Sequence, residues 1–112
     1  MRTTLLLAVA ALLISAAGFA AWGSTPQQAM PEALASLRSD QDVEVQTEPW
    51  IAFEPAARKP ATGLIIYPGG HVDARAYAPA ARAIAAQGYL AVIVPMPLSL
   101  AFLGADRAAQ VM

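Results

Sequence analysis

The first stretch of the chain is apolar on every side. The run from Leu5 to Trp22 carries no charge and follows a single positive side chain, Arg2. A helix without a polar face is typical of a buried or membrane-spanning segment, and this run is close to the ~20 residues that cross a bilayer. We therefore predict that residues 1–23 form a transmembrane anchor or a signal peptide.

The leader combines features of a cleaved signal peptide with features of an uncleaved anchor. Gly18-Phe19-Ala20 places small residues where a signal peptidase needs them, whereas the run exceeds the ~7–15 residues of a usual signal core. Trp22 also suits a membrane interface. We favour an uncleaved single-pass anchor. With Arg2 on the inner side, the remainder is expected on the extracytoplasmic side, or secreted or periplasmic if the leader is cleaved.

A connector is predicted over residues 24–41. Ser24–Gln28 is polar and loop-like. Pro31 can open a short helix through Arg38, because proline suits the first helical position. Beyond it, polar and apolar residues alternate over 42–47, which is the pattern of a half-buried strand. Residues 50–55 supply a second strand, and the short link between them favours an antiparallel hairpin.

Two later runs are apolar without alternation. Leu64–Tyr67 ends in Pro68-Gly69-Gly70, and Tyr89–Val94 ends in Pro95. Continuous short apolar runs predict strands that are buried on both faces. The stretch between them, Tyr77–Gln87, is predicted to be a helix, and Gly88 is expected to be its left-handed cap. Two strands joined by a helix form a parallel βαβ unit.

Some details of this unit can be predicted more closely. Asp73 is placed to cap the turn that leads into the helix, and Ala80, Ala83, Ile84 and Gln87 are expected to face the sheet. The aromatic residues Trp50, Phe53 and Tyr89 are expected in the core. From Gly104 onward the composition predicts the beginning of another helix.

Composition excludes several classes of site. The chain has 112 residues and a formal net charge of −1, so it lacks the basic surface that nucleic-acid binding requires. It contains no cysteine and one histidine, so we predict no disulfide, no metal site and no cofactor.

The stretch Gly63–His71 carries the most chemical information. Glycines let a backbone adopt φ values that other residues avoid, and they permit a ligand to approach closely. A strand, a glycine loop and a helix in succession place backbone N–H groups where anions bind. The alternative is a simple tight turn in a parallel sheet, which is common in α/β folds.

The segments Gly63–Asp73, Ala76–Pro79 and Gln87–Pro97 together resemble the N-terminal half of α/β-hydrolase fold proteins. The resemblance is to the bacterial branch related to dienelactone hydrolases, many of which have an N-terminal membrane segment, and it covers about residues 42–112. It implies a truncated α/β-hydrolase fold, an antiparallel hairpin plus a parallel βαβ unit, behind the N-terminal helix.

The resemblance also implies a site. The loop after the third strand normally supplies one backbone N–H of the oxyanion hole, which stabilises the charge that develops in acyl transfer. By that implication the N–H of Gly70 is the donor, and His71 is its neighbouring site residue. Proline stands at residue 68, where the family commonly has histidine. His71 is not expected to be the general base, because that histidine follows the nucleophile in chain order.

The nucleophile expected of this family is missing from the 112 residues. None of the five serines stands in a Gly-x-Ser-x-Gly pattern. The two apolar strands also need neighbours that about 70 residues do not supply. We therefore expect the front portion of a larger α/β domain, with the nucleophile, acid and base beyond residue 112. A complete small domain with unusual edges is the alternative.

The sequence thus predicts the N-terminal part of a membrane-anchored or exported serine hydrolase that acts on a small ester, lactone or acyl compound. This chain by itself is expected to be inactive. Nucleotide binding is disfavoured, because neither Gly-x-Gly-x-x-Gly nor Gly-x-x-x-x-Gly-Lys-Ser/Thr occurs. A membrane-tethered interaction module without chemistry is the remaining alternative.

Overall fold

A long helix projects from a small mixed α/β domain. The computed structural model describes all 112 residues and extends over 69 × 30 × 18 Å. Helix α1 spans Arg2–Gly23, and only Gly23 within it is buried. It is long and apolar enough to cross a membrane, although a signal sequence has the same properties. The predicted N-terminal helix is therefore present.

The connector is more compact than the sequence indicates. Helix α2 spans Pro31–Ala35 and ends before the predicted Arg38, because the following N–H groups bond three residues back and continue the chain as turns. The guanidinium of Arg82 holds this segment. It donates to the Ser36 carbonyl at 3.0 Å, to Asp40 Oδ2 at 2.8 Å and to the Arg38 carbonyl.

The sheet has four strands in the spatial order β1-β2-β4-β3. Strands β1 (Val43–Gln46) and β2 (Ile51–Pro55) form the predicted antiparallel hairpin. Strands β3 (Gly63–Ile66) and β4 (Leu90–Ile93) are parallel, as predicted for a βαβ unit. Strand β2 pairs antiparallel with β4 and joins the two halves into one mixed sheet.

The core lies mainly between the sheet and helix α3. Phe53 is fully buried near its centre. Val92, Val94 and Met96 form a second apolar cluster, against which Trp50 packs. Tyr89 is 49% exposed, so its predicted place in the core is wrong. It precedes β4 and has no element over it.

The prediction that β3 is buried on both faces is also wrong. Leu64 remains 48% exposed, and Ile65 and Ile66 are only half-buried. Strand β3 pairs with β4 along one edge, and its other edge has no partner in these 112 residues. Strand β4 is buried on both faces, as predicted, because it lies between β2 and β3. Its residues Ala91, Val92 and Ile93 are all buried.

Helix α3 is shorter than predicted and turns a different face to the sheet. A 3₁₀ turn over Ala74–Tyr77 leads into α3, which spans Ala78–Ala86. The buried residues are Ala78, Ala81 and Ala85, whereas Ala80, Ala83 and Gln87 are exposed. Alanine occurs on every side of this helix, so the sequence pattern does not fix its rotation. Gly88 follows with φ 103°, the predicted left-handed cap.

The last segment consists of 3₁₀ turns rather than the predicted helix. These cover Pro97–Ser99, Ala101–Gly104 and Arg107–Gln110. Tyr67 ties the segment to the sheet, because its hydroxyl donates to the Ala105 carbonyl and accepts from the Ala108 N–H, each at 2.8 Å.

Candidate active site

A cleft of about 530 Å³ opens beyond the carboxyl ends of the two parallel strands. Pro68 follows β3 and lines it from one side, and Pro95 and Met96 follow β4 and line it from another. Ligands of open α/β sheets bind at this edge. Gly70 and His71 are not among the lining residues. They belong to the same loop, which meets the cleft through Pro68 and Val72.

Three consecutive backbone N–H groups in this loop differ in their partners. The Gly69 N–H donates to the Tyr77 hydroxyl oxygen at 2.8 Å, and the His71 N–H donates to the Ser99 carbonyl at 2.7 Å. The Gly70 N–H between them has no acceptor in the protein, and Gly70 is exposed. The loop therefore holds one unpaired donor between two paired ones.

The backbone conformation of the loop departs from expectation. Neither Gly69 nor Gly70 has a positive φ, whereas His71 has φ 57°. A Cβ at Gly70 would meet only a methyl carbon of Leu100 at 3.8 Å, an ordinary contact distance. A Cβ at Gly69 would lie 2.8 Å from the Tyr77 hydroxyl. Gly69 is therefore required for the close approach of Tyr77, and the strained position of the loop is His71.

His71 is held by the end of α1. Its ring stacks on Trp22, with centroids 3.9 Å apart and planes at 8°. Its Nε2 lies 2.7 Å from the Trp22 carbonyl oxygen, so this nitrogen carries a proton and donates it. The Gln27 N–H donates to the His71 carbonyl at 3.0 Å. These contacts fix the left-handed conformation of His71 and occupy one ring nitrogen.

Tyr77 is the residue of this site that the sequence interpretation missed. The sequence pattern predicts only that Tyr77 begins the helix. Its hydroxyl instead reaches back eight residues to the loop and fixes the Gly69 N–H. A tyrosine eight residues after a glycine is a weak signal by itself. Only the turn over Ala74–Tyr77 brings the hydroxyl to the loop.

Asp73 links the loop to this turn. Its Oδ1 accepts the Arg75 N–H at 3.0 Å, the capping bond that the sequence predicts. The Arg75 guanidinium also donates to both carboxylate oxygens, with the shortest distance, 2.6 Å, to Oδ2. The hydrogen bonds from the Arg75 side chain, followed by its backbone N–H, lower the pKa of Asp73 below its ordinary value. Asp73 thus stabilises the turn as an anion.

Replacing Asp73 is expected to separate its two roles. Asp73→Ala removes both the cap and the ion pair and should lower the free energy of unfolding by about 1–2 kcal/mol. Asp73→Asn keeps a capping oxygen and should lose less than about 1 kcal/mol. Because the folded pKa is lowered, the ionic contribution is present above the unfolded pKa of ~3.9 and disappears as the pH falls through the folded value.

Urea unfolding between pH 7 and pH 3 measures this contribution. The difference in stability between the wild-type chain and Asp73→Asn should shrink toward pH 3. A difference that stays constant over this range would show that the Asp73 carboxylate is not a source of stability.

The contacts of Gly69 and Gly70 predict that Gly70 tolerates replacement by alanine and that Gly69 does not. Gly69→Ala should displace the Tyr77 ring and release the Gly69 N–H, whereas Gly70→Ala should leave the loop in place. In an amide hydrogen-exchange experiment, residue 69 should exchange at least tenfold faster in Gly69→Ala and in Tyr77→Phe than in the wild-type chain. Gly70→Ala is the matched control. Equal exchange in all four proteins would refute the Tyr77 contact.

The chain offers few other groups that could bind a metal ion or act as a nucleophile. No group of three or more His, Asp or Glu side chains is arranged to hold a metal ion. Ser99 contributes its carbonyl to the loop, and its own φ of 55° belongs to a backbone turn. No histidine other than His71 exists to activate a serine hydroxyl. The arrangement can therefore offer backbone donors to an anion, but these residues contain no activated nucleophile.

Comparisons with known proteins identify one family. The sequence model described as the "Alpha/beta hydrolase family" matches residues 63–112, which run from the first residue of β3 through the loop, α3, β4 and the final turns. The matched part is somewhat less than half of the chain. Comparisons with curated proteins and with solved structures found no match.

Proposed function

We propose, since residues 63–112 belong to the alpha/beta hydrolase family, that this chain forms part of a serine hydrolase of small esters, lactones or related acyl compounds. In this proposal the Gly70 N–H is one donor of the oxyanion hole. The single observation that supports it best is the unpaired Gly70 N–H between the paired N–H groups of Gly69 and His71. Gly70 is exposed, and the paired N–H groups on either side fix the backbone around its N–H, so this donor is accessible to a ligand.

The proposed reaction is acyl transfer in two steps. A serine hydroxyl attacks the substrate carbonyl carbon, a base takes the hydroxyl proton, and the bond to the leaving alcohol breaks as that alcohol is protonated. Water then cleaves the acyl-serine ester, which releases the acid and restores the serine. In each step negative charge develops on the carbonyl oxygen, where the Gly70 N–H would donate. One such donor contributes roughly 3–4 kcal/mol to the transition state.

The serine in this reaction would come from a Gly-x-Ser-x-Gly turn, which these 112 residues do not contain. The DNA downstream of the Met112 codon therefore tests the proposal cheaply. A Gly-x-Ser-x-Gly sequence within a few tens of codons, in any reading frame, supports it. Unrelated sequence throughout that region favours the alternative, a membrane-tethered interaction module.

An assay on the purified 112-residue chain provides the second test. With a chromogenic short-chain ester, we expect no turnover above the buffer rate. If the chain alone hydrolyses the ester, and Gly70→Pro abolishes this turnover, the catalytic groups reside in these residues. That result would contradict the proposal that these residues supply the oxyanion donor but not the nucleophile.

We also propose that α1 remains attached and anchors the domain on the extracytoplasmic side. Its length of 22 residues corresponds to about 33 Å, enough for a hydrocarbon core of ~30 Å. Mass spectrometry of the N-terminus tests this part. An intact leader supports the anchor, whereas a mature protein that starts at Ala21 would show a cleaved signal peptide.

A further inference from the structure

The carboxyl end of α1 is built into the candidate site. Trp22 stacks on His71 and accepts a hydrogen bond from its ring. Gly23 is buried against Leu98, and a Cβ there would lie only 2.7 Å from the Leu98 Cβ. The helix is otherwise exposed along its whole length. The part of α1 that meets the domain is thus its last turn, and it meets the glycine loop and the turn after β4.

The segment after α1 continues these contacts. Gln27 forms a short parallel bridge with Val72. Its N–H donates to the His71 carbonyl, and its carbonyl accepts the Asp73 N–H at 2.9 Å. Ser24, Pro26 and Gln28 then line the cleft. One wall of the cleft therefore begins at the residue that directly follows the helix.

The few residues between the end of α1 and the cleft limit how far the cleft can lie from the membrane when α1 spans a bilayer. Successive Cα atoms are about 3.8 Å apart, so Ser24 lies within about 4 Å of the helix end and Pro26 within about 11 Å. The polar headgroup layer is roughly 5–8 Å thick on each side. The mouth of the cleft would then lie within or at the margin of the headgroups.

The segment that contacts the helix end also carries exposed apolar side chains. Leu98, which packs on Gly23, begins a segment in which Phe102 is 71% exposed and Leu103 is 43% exposed. Trp22 is 46% exposed on the same end of α1. Large exposed apolar side chains next to a membrane helix suit the interface, where tryptophan is enriched. Because this segment starts from the contact between Leu98 and Gly23 at the end of α1, the lipid surface is the occupant that we assign to these side chains.

We propose that the cleft opens at the membrane surface and takes an amphiphilic acyl ester dissolved in the bilayer. This inference rests on the proposed function for the reaction and on the helix-end contacts for the location. Trp22 is a positioning residue in it, because it holds His71 and the loop against the end of the helix. A water-soluble ester is the competing substrate class, and a covering by other protein is the competing occupant of the exposed apolar side chains.

The location can be measured without any catalysis. The chain contains no cysteine, so Gln28→Cys, Phe102→Cys and Lys59→Cys each give one labelling site for a fluorophore. Lys59 is exposed in the loop that precedes β3, at the other end of that strand from Pro68. In nanodiscs that contain lipids with a spin-labelled headgroup, labels at residues 28 and 102 should be quenched at least threefold more strongly than the label at residue 59. Equal quenching at all three sites would overturn the proposed location.

The substrate class is measured on the enzyme that carries the serine, reconstituted in phosphatidylcholine vesicles. The probes are 4-nitrophenyl dodecanoate, which partitions into the vesicles, and 4-nitrophenyl acetate, which stays in water. We expect kcat/KM to be at least tenfold higher for the dodecanoate, and Phe102→Ala, which removes an exposed apolar ring, to reduce this preference while the acetate is still hydrolysed. Equal rates, or a preference for acetate, would overturn the substrate class and leave the proposed function intact. Hydrolysis of neither ester would overturn the proposed function, whereas the quenching result would still decide the location.

Discussion

Gly70→Pro is expected to lower kcat by about 10²–10³-fold in the enzyme that carries this loop and its serine. Proline has no N–H, so the substitution removes the unpaired donor that lies between the paired N–H groups of Gly69 and His71. Loss of a single oxyanion donor has this effect on kcat. KM should change little, because the charge that the donor stabilises develops in the transition state.

Gly70→Ala is the matched control for this experiment. Alanine keeps the N–H, residue 70 does not need a positive φ, and the added Cβ would meet only Leu100 at an ordinary distance. Its kcat should stay within about threefold of the wild type, a difference of less than 1 kcal/mol. Equal losses in the two variants, with both proteins folded, would show that the shape of the loop matters and that the Gly70 N–H does not.

Phe53→Ala is expected to have the largest effect on stability. Phe53 is fully buried on β2, directly opposite Val45 of β1 and Ala91 of β4. Removing a buried phenylalanine ring typically costs about 3–5 kcal/mol through lost burial and the remaining cavity. A domain of this size has only a few kcal/mol of net stability, so most Phe53→Ala molecules should be unfolded at 25 °C.

Circular dichroism and urea unfolding in detergent measure this effect. Phe102→Ala removes the same ring from a position that is 71% exposed, and it should change the free energy of unfolding by no more than about 0.5 kcal/mol. If Phe53→Ala were as stable as Phe102→Ala, the sheet would not be the core of the folded unit.

Much of this architecture could be predicted from the sequence because the signals are local. The alternating residues of β1, the proline and glycine residues that end strands, and the cap at Gly88 each depend on neighbouring residues. The apolar runs located β3 and β4 but did not distinguish a central strand from an edge strand. That difference depends on pairing partners far along the chain, and the 48% exposure of Leu64 follows from it.

For the candidate site as well, the sequence predicts the local features but not the long-range contacts. The resemblance indicated Gly70 from the position of the loop between a strand and a helix. It could not indicate Tyr77 or Trp22, because their contacts with the loop join residues 8 and 49 positions apart. The expected role of the two glycines in backbone freedom was wrong for a related reason. Tertiary contacts from Trp22 and Gln27 hold His71 in the left-handed conformation, so the glycines do not need to supply it.

Amide hydrogen exchange at residues 69, 70 and 71 shows whether the Gly70 N–H is open to a ligand, and the 112-residue chain in nanodiscs is sufficient for this measurement. The structure predicts slow exchange at Gly69 and His71, whose N–H groups are bonded to Tyr77 and Ser99. Gly70 should exchange at least tenfold faster than both, because its N–H has no acceptor. Protection of Gly70 equal to that of its neighbours would rule out Gly70 as an oxyanion donor, since an N–H that already donates within the protein cannot stabilise an oxyanion.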